Sequence, residues 1–240
     1  MSYTYHDMLA AYEIGNAHPG GRRLTQELIK SLPITSTSSV LDPGCGRGET
    51  SIYLAENFHC HVSAIEQNKQ MADLARKNFQ ENSVSIDLHI GNVESMPFKD
   101  KSFDYILAES ITAFTNVKKT LLEYERVLKP TGILLMNEMT IEEELLDIEK
   151  DELTQFYGMK NLYTENDWKK KLAGAGFNTV EIIEGKTILQ ELEEYIPGEE
   201  DSSPPSIHLN KELEEMMAVH QKLTLNFAEV LGYRVFRVTK

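Results

Sequence analysis

The feature that most constrains the fold is a glycine-rich segment near residue 45. The apolar residues Val40 and Leu41 lead into residues 42–48, which read DPGCGRG, and a helical pattern follows. Glycines at this spacing let a backbone approach a ligand closely and adopt conformations that a Cβ atom forbids. A helix that starts after such a loop presents unpaired N–H groups to the ligand. The segment therefore predicts a strand, a ligand-binding loop and a helix.

The glycine spacing differs from that of two common nucleotide-binding loops. Gly44, Gly46 and Gly48 follow the pattern G-x-G-x-G, whereas the dinucleotide fingerprint is G-x-G-x-x-G. No Lys-Ser or Lys-Thr pair follows the glycines, as a P-loop would require. A P-loop is therefore excluded, and an NAD-dependent oxidoreductase is a disfavoured alternative that stays open.

Strands and helices alternate through the first 140 residues. The pattern predicts strands at 38–41, 61–66, 86–90, 103–108 and 133–138, the third of them near a sheet edge. Asn68 is placed to cap one helix, and another is predicted from Val117 to Leu128, followed by a turn from Lys129 to Gly132. This rhythm favours an α/β fold with a doubly wound, mostly parallel sheet.

The two ends of the chain add helices to this core. We predict one domain over 1–240, with an N-terminal helical cover at 1–32 and a cofactor-binding core at 39–138. The last two strands, Phe177–Glu184 and Tyr233–Val238, are expected to pair as an antiparallel hairpin at the sheet edge. Between them, 190–231 is a helical insertion that we expect to act as a lid. It holds an acidic, proline-rich loop at 197–206 and an amphipathic helix from Asn210 to Leu231.

The composition limits the classes of partner that the protein is expected to bind. Lys and Arg number 24 against 38 Asp and Glu, so the net charge is 24 − 38 = −14. Such a surface repels polyanions, which predicts no nucleic-acid partner and no binding to an anionic membrane. No apolar run is long enough to span a bilayer, and Cys45 and Cys60 have no metal-ligand spacing around them. We expect a cytoplasmic protein without a bound metal, either monomer or homodimer.

Polar residues follow two further predicted strands. Glu66 ends the second strand, 66 − 42 = 24 residues after Asp42, where a carboxylate can accept hydrogen bonds from ribose hydroxyls. Asn92 and Val93 follow the third strand; the Asn side chain can accept from an exocyclic amine, and Val can flank an adenine ring. A plain loop is the alternative for this last pair.

The chain resembles one family in four features that occur in the same order: the glycine motif, Glu66, the segment MPF…SFDYI at 96–106 and the segment RVLKPTG at 126–132. They are similar to class I S-adenosylmethionine-dependent methyltransferases of small-molecule type, especially the ubiquinone/menaquinone-biosynthesis C-methyltransferases. The resemblance covers about residues 17–138 and implies a seven-stranded sheet with the cofactor across the carboxyl ends of the first strands. Pro43 and Asn92 depart from the family pattern.

The resemblance also implies roles for individual residues. Around the methionine part of the cofactor it places Asp42, Gly44, Cys45, Gly46 and Gly48. Glu66 and Gln67 would hold the ribose, and Asn92 with Val93 would frame the adenine.

Two residues are candidates for catalysis. Glu109 follows the fourth strand, where the family faces the reactive end of the cofactor; it is expected to contact cofactor and to orient an acceptor amine or take its proton, with a helix-capping role as the alternative. His18 lies in the loop HPGG at 18–21, where it can serve as a general base or be a simple loop residue. His220 is predicted to pack in the core. The predicted function is methyl transfer from S-adenosylmethionine to a small molecule; a non-catalytic cofactor-binding regulator is the alternative.

Overall fold

The computed structural model describes residues 3–15, 17–194 and 210–240. The structure consists of strands and α-helices, with one short 3-10 turn described at Thr112–Phe114. The elements in chain order are α1 (Tyr5–Ala11), α2 (Gly21–Lys30), β1 (Ser39–Pro43), α3 (Glu49–Phe58), β2 (His61–Glu66), α4 (Lys69–Glu81), β3 (Asp87–Ile90), β4 (Phe103–Glu109), α5 (Val117–Val127), β5 (Leu128–Ile141), α6 (Asp147–Tyr157), α7 (Glu165–Gly174), β6 (Thr179–Thr187), α8 (Ile188–Glu194), α9 (Lys211–Asn226) and β7 (Leu231–Thr239).

The strands form one seven-stranded sheet in the order β3-β2-β1-β4-β5-β7-β6. The first five strands pair in parallel, while β7 runs antiparallel to both β5 and β6. This confirms the mostly parallel sheet, the edge position of β3 and the antiparallel pair at the other edge. The strand order reverses between β1 and β4, which is where ligands bind in open α/β sheets.

Helices cover both faces of the sheet. The neighbouring residues Val40 and Leu41 are fully buried in two different apolar clusters, because successive side chains of a strand point to opposite faces. One cluster contains Leu121 of α5 and Trp168 of α7, and the other contains Leu54 of α3. A strand that is buried on both faces is typical of a doubly wound fold.

The structure corrects several of the predicted boundaries. The predicted turn from Lys129 to Gly132 lies inside β5, where these four residues stand against the single residue Asp104 of β4 between the pairs Phe103–Leu128 and Tyr105–Ile133. The extra residues are accommodated as an irregularity in the ladder. The helix predicted from Asn210 to Leu231 ends at Asn226, and Leu231 already begins β7. A separate helix, α8, occupies the start of the predicted insertion.

The N-terminal helix and the insertion helix pack on each other. Met8 of α1 forms a small apolar cluster with Leu213 and Met216 of α9. The predicted loop at 197–206 lies outside the described residues. Within the described ranges, no helix is both long and apolar enough to cross a membrane.

Candidate active site

A cavity of about 700 Å³ lies where the parallel strands end. Its floor includes one carboxylate from each of four adjacent strands: Asp42 of β1, Glu66 of β2, Glu109 of β4 and Glu138 of β5. Residues of α1 and α9 line the same cavity. The cavity therefore lies at the carboxyl ends of the central strands, where the strand order reverses.

The three glycines of the loop have different surroundings although all have positive φ. A Cβ atom on Gly46 would meet only the Cε of Met71, at 3.5 Å, so this position is open toward the cavity. A Cβ atom on Gly48 would lie 2.2 Å from the ring of Phe79, and one on Gly44 would lie 2.7 Å from Ile111. Gly46 thus leaves space for a ligand, whereas Gly48 permits the close packing of α3 against α4.

Glu66 connects the glycine loop to the next helix. Its buried carboxylate accepts the N–H of Gly46 at 3.0 Å and the N–H of Asn68, the cap of α4, at 2.8 Å. An ionised carboxylate has about four lone-pair positions, so acceptor capacity is left for ligand hydroxyls. The side chain is thus held in one orientation at the cavity wall.

Asp42 lies beneath the glycine loop and is only 4% exposed. Ser51 of α3 donates to its Oδ2 at 2.6 Å. Burial raises the pKa of Asp42 to about 7 against the effect of this hydrogen bond, and the negative charges of Glu109 and Glu66 add to the rise. A positive ligand group beside it would favour the ionised form.

Glu109 is the centre of a small polar cluster. The hydroxyl of Thr25 on α2 donates to one carboxylate oxygen, and that of Thr50 on α3 donates to the other at 2.9 Å. The Nε2 of His18 lies 3.6 Å from Oε1 of Glu109. The loop that carries His18 is anchored in turn, because Asn137 of β5 donates to the carbonyl of Pro19 at 2.9 Å.

Aromatic rings also line the cavity. We call Tyr5, Phe114, Tyr157 and His220 the aromatic wall; all four line the cavity. The ring centroids of Tyr5 and Tyr157 are 4.9 Å apart, and the Tyr157 hydroxyl lies 3.1 Å from Nδ1 of His220. His220 is therefore a half-buried residue of the cavity, in contrast to the predicted core position.

Two buried polar features lie beside this wall. Glu138 accepts the backbone N–H of Thr112 at 2.7 Å, and burial raises the pKa of Glu138 to about 7 in spite of such bonds. Ser110 has a positive φ of 51°, and its buried Oγ has no hydrogen-bond partner among the described residues. Strain and an unpaired polar atom next to a cavity are features that native proteins retain at functional sites.

The structure brings most of the predicted site residues to this cavity. Those that line it are His18, Asp42, Gly44, Cys45, Gly46, Glu66, Gln67 and Glu109. Gly48, Asn92 and Val93 are outside its lining: Val93 is buried in the core, and the exposed Asn92 accepts the N–H of Glu94.

The sequence interpretation missed several residues of the site. Thr25, Thr50 and Tyr157 lie on helices whose local pattern only indicates an amphipathic face, and Glu138 reads as the end of a buried strand. A carboxylate in an otherwise apolar strand is rare, so the sequence around Glu138 does indicate a functional residue. The positive φ of Ser110 has no sequence signature, because that position favours glycine or asparagine.

Comparisons with known proteins agree with this geometry. Residues 34–195 match a family model described as a methyltransferase domain. The chain is 28% identical over 232 residues to the uncharacterized methyltransferase YodH of Bacillus subtilis, covering 97% of each protein. It is 27% identical over 174 residues to phosphoethanolamine N-methyltransferase 1 of Arabidopsis thaliana, covering 72% of this chain and 35% of that protein.

A solved structure has the same fold. Phosphoethanolamine N-methyltransferase 2 of Haemonchus contortus, in complex with S-adenosylmethionine, superposes with a TM-score of 0.80 at 20% identity. The match covers 100% of this chain and 58% of that one. At this identity the likeness concerns the fold.

Proposed function

Since the chain belongs to the family of methyltransferase domains and is an S-adenosylmethionine-dependent methyltransferase, we propose that its acceptor is a small molecule. The observation that supports this is the cavity itself. Its volume of about 700 Å³ lies within the range of small-ligand pockets, and residues of α1 and α9 line it together with the ends of the strands. Relatives named for phosphoethanolamine and for glycine, sarcosine and dimethylglycine also point to small acceptors.

The residues at the strand ends fit the cofactor. We propose that Gly44, Cys45 and Gly46 border its methionine part, because Gly46 leaves open space there. The free acceptor capacity of Glu66 suits the ribose hydroxyls, and the exposed Gln67 lies next to it. Asp42 and Glu109 supply negative charge for the ammonium group. The bound cofactor supplies an activated methyl group, so the protein mainly positions reactants and excludes water.

Three of the predicted contacts receive less support. Gly48 is proposed to act through the packing of α3 and not by touching the ligand. The adenine roles of Asn92 and Val93 stay predictions, as does the narrower resemblance to ubiquinone/menaquinone C-methyltransferases. Asn68 and Met71, at the start of α4, line the cavity and are additional candidates for the adenine side.

We propose that His18 and Glu109 act together. A proton on Nε2 of His18 would face the Glu109 carboxylate at 3.6 Å, so the pair can hold a proton that the acceptor loses. Thr25 and Thr50 keep the carboxylate in place during this transfer. Glu109 is then a cofactor contact and a partner of the base at once.

Labelled methyl transfer tests the proposal. The protein is incubated with S-adenosylmethionine carrying a labelled methyl group and with a fractionated cell extract, and Gly46→Val serves as the binding-deficient control. We expect label in the small-molecule fraction with the wild type only. Label confined to nucleic acid or protein would refute the small-molecule acceptor, and cofactor binding without transfer to any fraction would favour the regulator.

A further inference from the structure

We propose that the acceptor is an amine that binds as a cation against the aromatic wall of Tyr5, Phe114, Tyr157 and His220. The inference rests on the proposed function and specifies its substrate class. Three independent properties of the cavity support it: the sign of its charge, the neutrality of the wall and an unused hydroxyl group.

The charge of the cavity is strongly negative. Among the described residues that line it, Arg47 is the one Lys or Arg side chain. The carboxylates that line it are Asp7, Asp42, Glu49, Glu66, Glu109 and Glu138. Even with Asp42 and Glu138 protonated, four carboxylates face one guanidinium. The guanidinium also donates to the carbonyl of Glu13, so it is already engaged.

A bound cofactor leaves this imbalance in place. The sulfonium and ammonium groups of S-adenosylmethionine exceed its carboxylate by one positive charge, which offsets only part of the negative charge. A further cation would therefore be attracted, whereas a carboxylate or phosphate acceptor would be repelled.

The aromatic wall borders this negative space and carries no charge of its own. Burial raises the pKa of Tyr5, and the neighbouring Tyr157 raises it further by a smaller amount. Burial lowers the pKa of His220. At neutral pH the phenol thus stays protonated and the imidazole stays uncharged. The faces of aromatic rings are electron-rich and attract ammonium groups, most strongly where water is excluded.

Ser110 adds a hydrogen-bonding position near the wall. Its Oγ has no partner among the described residues, it lines the cavity, and it stands four residues before Phe114. The Oγ is buried beneath the cavity surface, so an N–H of the bound amine can donate to this oxygen once the Ser110 side chain rotates toward the cavity. The positive φ of Ser110 is the backbone conformation that places the residue there.

The proposed chemistry balances without another reactant. The amine loses a proton to His18, and its nitrogen lone pair forms the bond to the methyl carbon. The bond between that carbon and sulfur breaks, with its electron pair staying on sulfur. The products are the methylated amine and S-adenosylhomocysteine, and the proton leaves His18 for solvent.

Calorimetry with a matched pair of ligands tests the charge preference without turnover. The protein is saturated with S-adenosylhomocysteine and titrated with choline or with 3,3-dimethylbutan-1-ol, its uncharged carbon isostere of the same shape. We expect choline to bind about tenfold more tightly, the scale of a desolvated cation–π contact with added charge attraction. Equal affinities would overturn the proposal. Phosphocholine is expected to bind more weakly than choline, and tighter binding would contradict the charge argument.

Variants then locate the cation. Phe114→Leu and Tyr5→Leu remove ring faces but keep apolar volume, and each is expected to reduce the choline preference by several-fold while changing isostere affinity less. Tyr53→Leu is the control, since its ring packs against Phe58 and does not line the cavity. An unchanged preference in both wall variants would refute the assignment to the wall.

The first titration step separates this inference from the proposed function. If S-adenosylhomocysteine itself fails to bind, the cofactor site is wrong. If it binds and choline shows no advantage, the cofactor site stands and the amine acceptor is wrong.

Discussion

Replacing Gly46 or Gly48 by alanine separates ligand binding from packing within one loop. The two residues are two positions apart, and both have positive φ, 53° for Gly46 and 79° for Gly48. The same methyl group is added in both variants. Any difference between them therefore reports on the surroundings of that methyl group.

The structure predicts a different stability loss for each variant. An alanine in the left-handed region costs about 1–2 kcal/mol, and this applies to both positions. At Gly46 the new Cβ atom makes an ordinary contact with Met71 at 3.5 Å, so no further cost is expected. At Gly48 it would lie 2.2 Å from Phe79, and such overpacking adds about 1–3 kcal/mol. The totals are about 1–2 kcal/mol for Gly46→Ala and about 2–5 kcal/mol for Gly48→Ala.

Ligand binding should rank the variants in the opposite order. The methyl group of Gly46→Ala occupies space that we assign to the cofactor, and displacing or straining the ligand by about 1–3 kcal/mol lowers affinity about 5- to 150-fold. The methyl group of Gly48→Ala points at Phe79, so the folded variant should retain affinity within about threefold.

Urea unfolding and calorimetry with S-adenosylhomocysteine measure the two quantities. Calorimetry is done at a temperature where circular dichroism shows both variants folded. The reasoning about this loop would be refuted if Gly46→Ala bound S-adenosylhomocysteine with wild-type affinity. It would also be refuted if Gly48→Ala lost more affinity than Gly46→Ala.

Three further predictions follow from the carboxylates and the cover of the cavity. Glu66→Ala should weaken S-adenosylhomocysteine binding by about 1.5–3 kcal/mol and lower the free energy of unfolding by about 1–3 kcal/mol, because two backbone N–H groups lose their acceptor. Glu123→Ala, which also removes a backbone acceptor but lies outside the cavity lining, should change only stability, and an equal loss of affinity would count against the ribose role. Asp42 keeps its proton to about pH 7 in the folded protein, whereas an unfolded aspartate loses it near pH 4, so its contribution to stability falls as pH rises through that window. The stability of Asp42→Asn relative to wild type, from urea unfolding, should therefore grow between these pH values, and a pH-independent difference would contradict the raised pKa. Hydrogen exchange should show that S-adenosylhomocysteine increases protection in both α1 and α9 but not in α5 if the first two form a lid; equal protection with and without ligand would argue against it.

Much of this fold was predictable because its signals are local. A glycine at a tight turn, an apolar run that enters it and a cap such as Asn68 act within a few residues, so the strand, loop and helix at 39–58 follow from the chain itself. The alternation of such units then requires a parallel sheet. In a parallel sheet the carboxyl ends of the strands meet on one side, which brings Asp42, Glu66 and Glu109 together. The loop and these three carboxylates are therefore properties of the sequence.

Tertiary packing decided what surrounds them. The hydroxyls that hold Glu109 come from residues 84 and 59 positions away, a separation at which no local pattern operates. Gly48 looks like its neighbours in sequence, yet Phe79 of α4 makes it a packing residue. His220 reads as core on an amphipathic helix, but α9 packs on α1 and leaves this ring at the cavity. Which face of a helix meets apolar core and which meets a cavity depends on the partner that covers it, and that partner is chosen by the whole chain.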